Sequence, residues 1–160
     1  MADDKTAAES SGENSVMEKY LVFSVREKRY ALPSKFISEV AALEKIFPLP
    51  LVPDYVRGII NRYSVPYALI DLSFLLLKTA SNTGKVIVLK ESVDKIALLI
   101  DDVVDIADYP LDKLMGIEQE EKKLSGSVNG YFEWKDHQIF CIEIGELIAR
   151  IKNDFDQQEV

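Results

Sequence analysis

Two stretches of this chain align without a gap. Ala68-Leu69-Ile70-Asp71-Leu72-Ser73-Phe74-Leu75-Leu76 matches Phe140-Cys141-Ile142-Glu143-Ile144-Gly145-Glu146-Leu147-Ile148. In each, an apolar strand ends in an acid and runs into a short helical stretch. A hairpin precedes each as well: Gly58-Ile59-Ile60-Asn61 before the first, Val128 to Trp134 before the second. Internal similarity at this scale constrains the fold more than any single motif, because it makes the chain two related halves. The halves span about 18–77 and 85–151, with exchange of strands between them left open, and are joined by the polar stretch Thr79-Ala80-Ser81-Asn82-Thr83-Gly84. Neither is large enough to bury a generous core alone. The expected architecture is therefore mainly β: two pseudo-repeated five-stranded β-barrel subdomains sharing a hydrophobic interface, with short helices.

The rest of the chain agrees. Tyr20-Leu21-Val22-Phe23-Ser24-Val25 is rich in β-branched and aromatic residues; Arg26-Glu27-Lys28-Arg29 turns it and Tyr30-Ala31-Leu32 returns it, a hairpin signature. Val86-Ile87-Val88-Leu89 and Ile96-Ala97-Leu98-Leu99-Ile100 repeat the design. Pro33 suits the start of a short helix through Phe36. Residues 1–17 and 152–160 are expected to be tails, the first acidic and disordered, because such stretches lack the apolar content to offset ordering entropy.

Of the net charge of −8, the first 17 residues carry −3 and the last nine −2. No Lys/Arg cluster with interleaved aromatics offers footing for a polyanion, so nucleic acid is excluded as a partner. The longest apolar runs fall far short of a bilayer span, which argues against membrane insertion. The N-terminus lacks the basic flank and apolar stretch of a signal peptide, and the single cysteine, Cys141, has no internal disulfide partner. These features predict a cytoplasmic protein.

Catalytic constellations are missing. His137, the one histidine, sits in a hairpin-turn context, and one His with one Cys leaves no zinc site. Adjacent strand residues face opposite ways, so Asp101 and Asp102 cannot grip one ion together. No cofactor or metal is expected. A small enzyme using Asp71, Asp101 or Glu143 is the weakest reading, since strand-end acids are more often turn formers. Pro50-Leu51-Val52-Pro53 matches a polyproline-II ligand spacing, but its apolar flanks fit a connector packed on the body better.

In order and spacing, these segments resemble the CheW family of chemotaxis coupling proteins. The resemblance rests on Tyr20–Phe23 with Tyr30–Pro33, then Ile37-Ser38-Glu39-Val40. It continues through Pro53-Asp54-Tyr55-Val56-Arg57-Gly58-Ile59-Ile60-Asn61 with Leu69-Ile70-Asp71-Leu72, Ile96–Asp101, Gly126 and Ile142–Ile148. It covers about 18–151 and implies two five-stranded β-barrel subdomains. It also implies an adaptor between chemoreceptor cytoplasmic tips and the regulatory domain of a histidine kinase, itself of this fold, at membrane-associated receptor arrays. One departure stands out. After Asn61 the family reads Leu-Arg-Gly, where this chain has Arg62-Tyr63-Ser64. The family's arginine falls on Tyr63, and neighbouring hairpin residues face opposite ways, which weighs against Arg62 replacing it. Losing glycine at 64 weighs against a positive φ there.

The receptor-binding candidates are Ile37 and Glu39, expected on one face of a strand, with Arg62 and Tyr63 in the following hairpin. Gly58, Asn61, Ile70, Asp71, Leu72, Ile142 and Ile144 are structural candidates, with Ile70 equivalent to Ile142 and Leu72 to Ile144. The alternative function is a divergent accessory or scaffold module of the same family serving another kinase pathway.

Overall fold

Near-continuous apolar runs such as Tyr20–Val25, Val86–Leu89 and Ile96–Ile100 are what strands covered on both faces require, and this is where they lie. In the computed structural model, residues 16–81, 83–117 and 127–158 are described. Ten strands form: β1 Met17–Val25, β2 Lys28–Pro33, β3 Ile37–Ala42, β4 Val56–Arg62, β5 Val65–Asp71, β6 Lys85–Leu89, β7 Ile96–Ile100, β8 Asp102–Pro110, β9 Val128–Trp134 and β10 His137–Ile142. Two helices follow the repeated motif, α1 Leu72–Leu77 after β5 and α2 Ile144–Gln158 after β10. A 3-10 turn at Ser34–Phe36 follows Pro33.

The strands make two five-stranded sheets. Sheet I runs β8-β1-β2-β10-β9 and sheet II β3-β6-β7-β5-β4. The neighbours β2/β10 and β5/β7 are parallel; the other pairs are antiparallel. The internal repeat reaches the register. In β4/β5, Val56 pairs with Ile70 and, after a bulge, Gly58 with Leu69. In β9/β10, Val128 pairs with Ile142 and, after a bulge, Gly130 with Cys141. Each outer strand takes one more bridge from the connector before it, Phe47–Ile59 and Met115–Tyr131. Gly58 has φ 138°, and a Cβ there would collide with the Phe47 carbonyl. Only glycine permits that bridge.

The sequence halves and the sheets do not coincide. The hairpin β1–β2 of the first half joins β8, β9 and β10 of the second; β6–β7 of the second joins β3, β4 and β5 of the first. Each sheet thus draws strands from both 18–77 and 85–151, a reciprocal exchange. The 3-10 turn redirects the chain after β2, so β3 pairs with β6 rather than returning to its own hairpin. Exchange solves the size problem. One face of each sheet contributes to a shared core holding Phe23, Leu32, Ile70, Leu72, Ile87, Leu98, Ile142 and Ile144. The opposite faces cover two smaller clusters, one around Tyr20, Val22 and Phe132 and the other around Ile60, Leu69 and Val88.

Both helices begin on the acid of the repeat. Asp71, fully buried, accepts through Oδ1 from the amides of Ser73 (3.0 Å) and Phe74 (3.3 Å). Glu143 accepts through Oε2 from the Glu146 amide (2.9 Å). A carboxylate that meets the orphan N–H groups of a first helical turn stabilises it.

Two tail boundaries are corrected. Residues 152–158, expected as a tail, continue α2. Ile144, Leu147, Ile148, Ile151 and Phe155 recur at helical spacing and pack on the shared core. Two polar contacts fasten the last turns: the Tyr55 hydroxyl donates to Asp154 Oδ2 at 2.6 Å, and Lys152 pairs with Asp94 at 3.1 Å. At the other end, Met17 already belongs to β1 opposite Pro110. The rest of the expected acidic tail, residues 1–15, lies outside the described residues, as do Asn82, Gly126 and residues 159–160.

Candidate partner-binding site

The candidates gather where β3 and β4, the two edges of sheet II, approach each other. β3 carries a bulge: Ile37 pairs with Leu89, and the next ladder pair is Glu39 with Val88, leaving Ser38 between. Directly paired residues share a face, and neighbours along β6 face opposite ways. Ile37 therefore turns with Leu89 toward the shared core, while Glu39 turns with Val88 toward the cluster of sheet II. The expectation that Ile37 and Glu39 share one face is overturned, because the extra residue breaks the period of two.

Glu39 meets Arg62 from the end of β4. Arg62 Nη2 donates to Glu39 Oε1 at 2.7 Å and Nη1 to Glu44 Oε1 at 3.2 Å. The Arg62 side chain is 18% exposed and that of Glu39 25%. The hydrogen bond to Glu39 raises the arginine's pKa further above its ordinary value. Arg62 Nε is buried and has no partner among the described residues. Tyr63 lies over the guanidinium, 5.2 Å from ring centroid to Cζ, and is 83% exposed. Arg62 thus reaches Glu39 from the end of β4, one residue before the turn position Tyr63.

The turn that carries Tyr63 keeps positive φ without glycine. Tyr63 has φ 52° and Ser64 φ 67°. The tips of β1–β2 (Arg26 49°, Glu27 68°) and β9–β10 (Lys135 50°, Asp136 67°) do the same. Two consecutive left-handed residues give the twist a two-residue hairpin needs, and the strands around these tips impose it. Asn61, exposed and paired with Pro66, precedes the turn.

The internal repeat supplies a counterpart at the edges of sheet I. β8 has the equivalent bulge: Val103 pairs with Phe23 and Asp105 with Val22. Asp105 stands where Glu39 does, and Trp134 where Arg62 does. Trp134 Nε1 donates to Asp105 Oδ2 at 3.0 Å, and Lys135 pairs with the same oxygen at 2.8 Å. Lys135, then Trp134 and the Ile106 amide, hold the Asp105 carboxyl down to about 2. Tyr109 and Phe132 stack beside them, 4.5 Å between centroids at 17°. Asp105, Trp134, Lys135 and Glu44 were not singled out from the sequence. Extending the repeat from β5 back through β4 would have matched Arg62 to Trp134.

The acids considered for catalysis have other tasks. Asp71 and Glu143 cap helices, Asp101 accepts from the Arg26 amide at 2.7 Å, and Asp102 pairs with Lys85 at 2.9 Å. Among the described residues, no group of three or more His, Cys, Asp or Glu is placed to hold a metal ion. Burial pushes the Cys141 thiol up to about 12, leaving it a poor nucleophile. His137 is exposed at the start of β10. No helix among the described residues is long and apolar enough to cross a membrane.

Residues 19–152 match the CheW-like domain. This chain belongs to the CheW-like family. The crystal structure of the scaffolding protein TtCheW from Thermoanaerobacter tengcongensis matches this CheW-like chain with a TM-score of 0.71 at 23% identity, over 79% of this chain and 84% of that one. That likeness concerns the fold. A search of curated proteins finds no match. Within the CheW-like frame, the β4–β5 tip presents Tyr63, the most exposed of the site candidates, beside the Arg62 pair.

Proposed function

We propose that this chain is a non-catalytic adaptor that couples the cytoplasmic tips of chemoreceptors to a chemotaxis histidine kinase in membrane-associated arrays. The observation that carries the reading is the family match across both half-units. The proposed receptor surface is the β3–β4 seam, with Glu39, Arg62 and Tyr63 presented together; Ile37 supports it from beneath. An exposed aromatic beside a charge pair fits a helical partner, the ring anchoring and the charges setting register. The kinase's regulatory domain, of the same fold, would use a different surface. The chain acts by holding two partners at once and needs no bond-making step.

One observation favours the second reading, an accessory scaffold for another kinase pathway: Tyr63 stands where the family carries arginine. Sedimentation of the purified chain with a chemoreceptor tip fragment and the kinase separates the two. A ternary complex is expected, with receptor binding weakened by Glu39→Lys or Tyr63→Ala and kinase binding kept. If the chain binds kinase but never the receptor fragment, the accessory reading replaces the first; wild-type receptor affinity in both variants removes the site assignment.

A further inference from the structure

The repeat makes each seam the control for the other. At the β8–β9 seam, closure has three components: a neutral indole donor on Asp105, the Lys135 pair, and the stacked rings of Tyr109 and Phe132. At the β3–β4 seam, Ile60 replaces Phe132, and no aromatic pair bridges the two strands among the described residues. Polar closure there rests on Arg62, shared between Glu39 and Glu44, beside the aliphatic packing of Leu43 and Ile46 on the Ile60 cluster. A stack excludes water and is indifferent to simple salt, whereas a charge pair with access to solvent is screened by it. Arg62 also leaves its buried Nε–H donor unmet, which makes the closed arrangement less favourable than a fully satisfied one.

We propose that the β3–β4 seam is an ionic latch, closed by Arg62 on Glu39 and able to open locally while the β8–β9 seam stays shut. Opening frees the Arg62 and Glu39 side chains and loosens an edge strand, β3, whose one strand partner is β6. A partner that engages either side chain draws the latch open, so occupancy at this seam is coupled to order in β3. The inference stands on the seam geometry and holds whether or not the partner is a chemoreceptor.

Amide hydrogen exchange of the full chain, read by segment, tests it, because exchange in an edge strand reports local opening. Raising NaCl from 0.05 to 1 M should speed exchange in 37–42 about fivefold, the factor carried by a solvent-accessible ion pair. Segment 103–109 should stay within about twofold, the small change expected where an apolar stack remains. Glu39→Gln should reproduce the acceleration at low salt and remove the salt response. Trp134→Phe, which keeps a ring but deletes the donor, should leave 103–109 slow. Equal salt responses at the two seams, or no acceleration in 37–42, would overturn the latch. The salt series needs only the wild-type chain, so it decides the matter even if a variant fails to fold.

Discussion

Ile70→Ala and Ile142→Ala form a matched pair of perturbations that tests the repeat at the level of energy. Ile70 is 0% exposed and Ile142 3%. Each lies in the shared core, one residue before a helix-capping acid, and pairs across a bulged hairpin with Val56 or Val128. Truncation removes three carbons, about 2.4 kcal/mol at ~0.8 kcal/mol per buried methylene. The cavity term raises this, because strands on either side cannot collapse into the gap; measured large-to-small changes run about 2–5 kcal/mol. We therefore expect about 3 kcal/mol at each site, a large part of the roughly 5–15 kcal/mol available to a domain. Urea denaturation with unchanged m-values is the assay. A loss below about 1 kcal/mol at either position, or a gap between them beyond about 3 kcal/mol, would refute the equivalence, since that range lies outside the spread for fully buried sites.

Three further outcomes are expected. Ser64→Gly should stabilise the chain by up to about 1 kcal/mol, seen as a Tm rise of a few degrees, because Ser64 holds φ 67° on an exposed tip. Asp105 is held at about 2 in the folded chain, below its unfolded value near 4, so the stability it contributes is present above pH ~4 and lost as pH falls toward 2. Acid melts of Asp105→Asn should show a shallower decline than wild type over that window, and parallel curves would contradict the assignment. Cys141, buried and pushed up to about 12, should resist thiol reagents at pH 8 until denaturant unfolds the chain; stoichiometric labelling of the native protein would show that its barrier is open.

What the sequence by itself determined was local and periodic. Apolar runs specified the central strands because strands covered on both faces need no alternation. The gap-free match of Ala68–Leu76 to Phe140–Ile148 specified two equivalent hairpin–helix units, since identical local patterns meet identical backbone demands. The tertiary structure decided what depends on pairing between distant segments. Which hairpin joins which sheet is set by β3 crossing to β6 and β8 to β1, and nothing local in either strand announces its partner. The bulge at Ser38 parts Ile37 from Glu39, because register is a property of two strands together. The end of the chain became helix because Phe155 and Asp154 find the shared core and Tyr55, contacts that a composition of charged and amide residues does not reveal. Arg62 reaches Glu39 for the same reason: two sheet edges come together in space, and only there do a strand-end arginine and a mid-strand acid become one site.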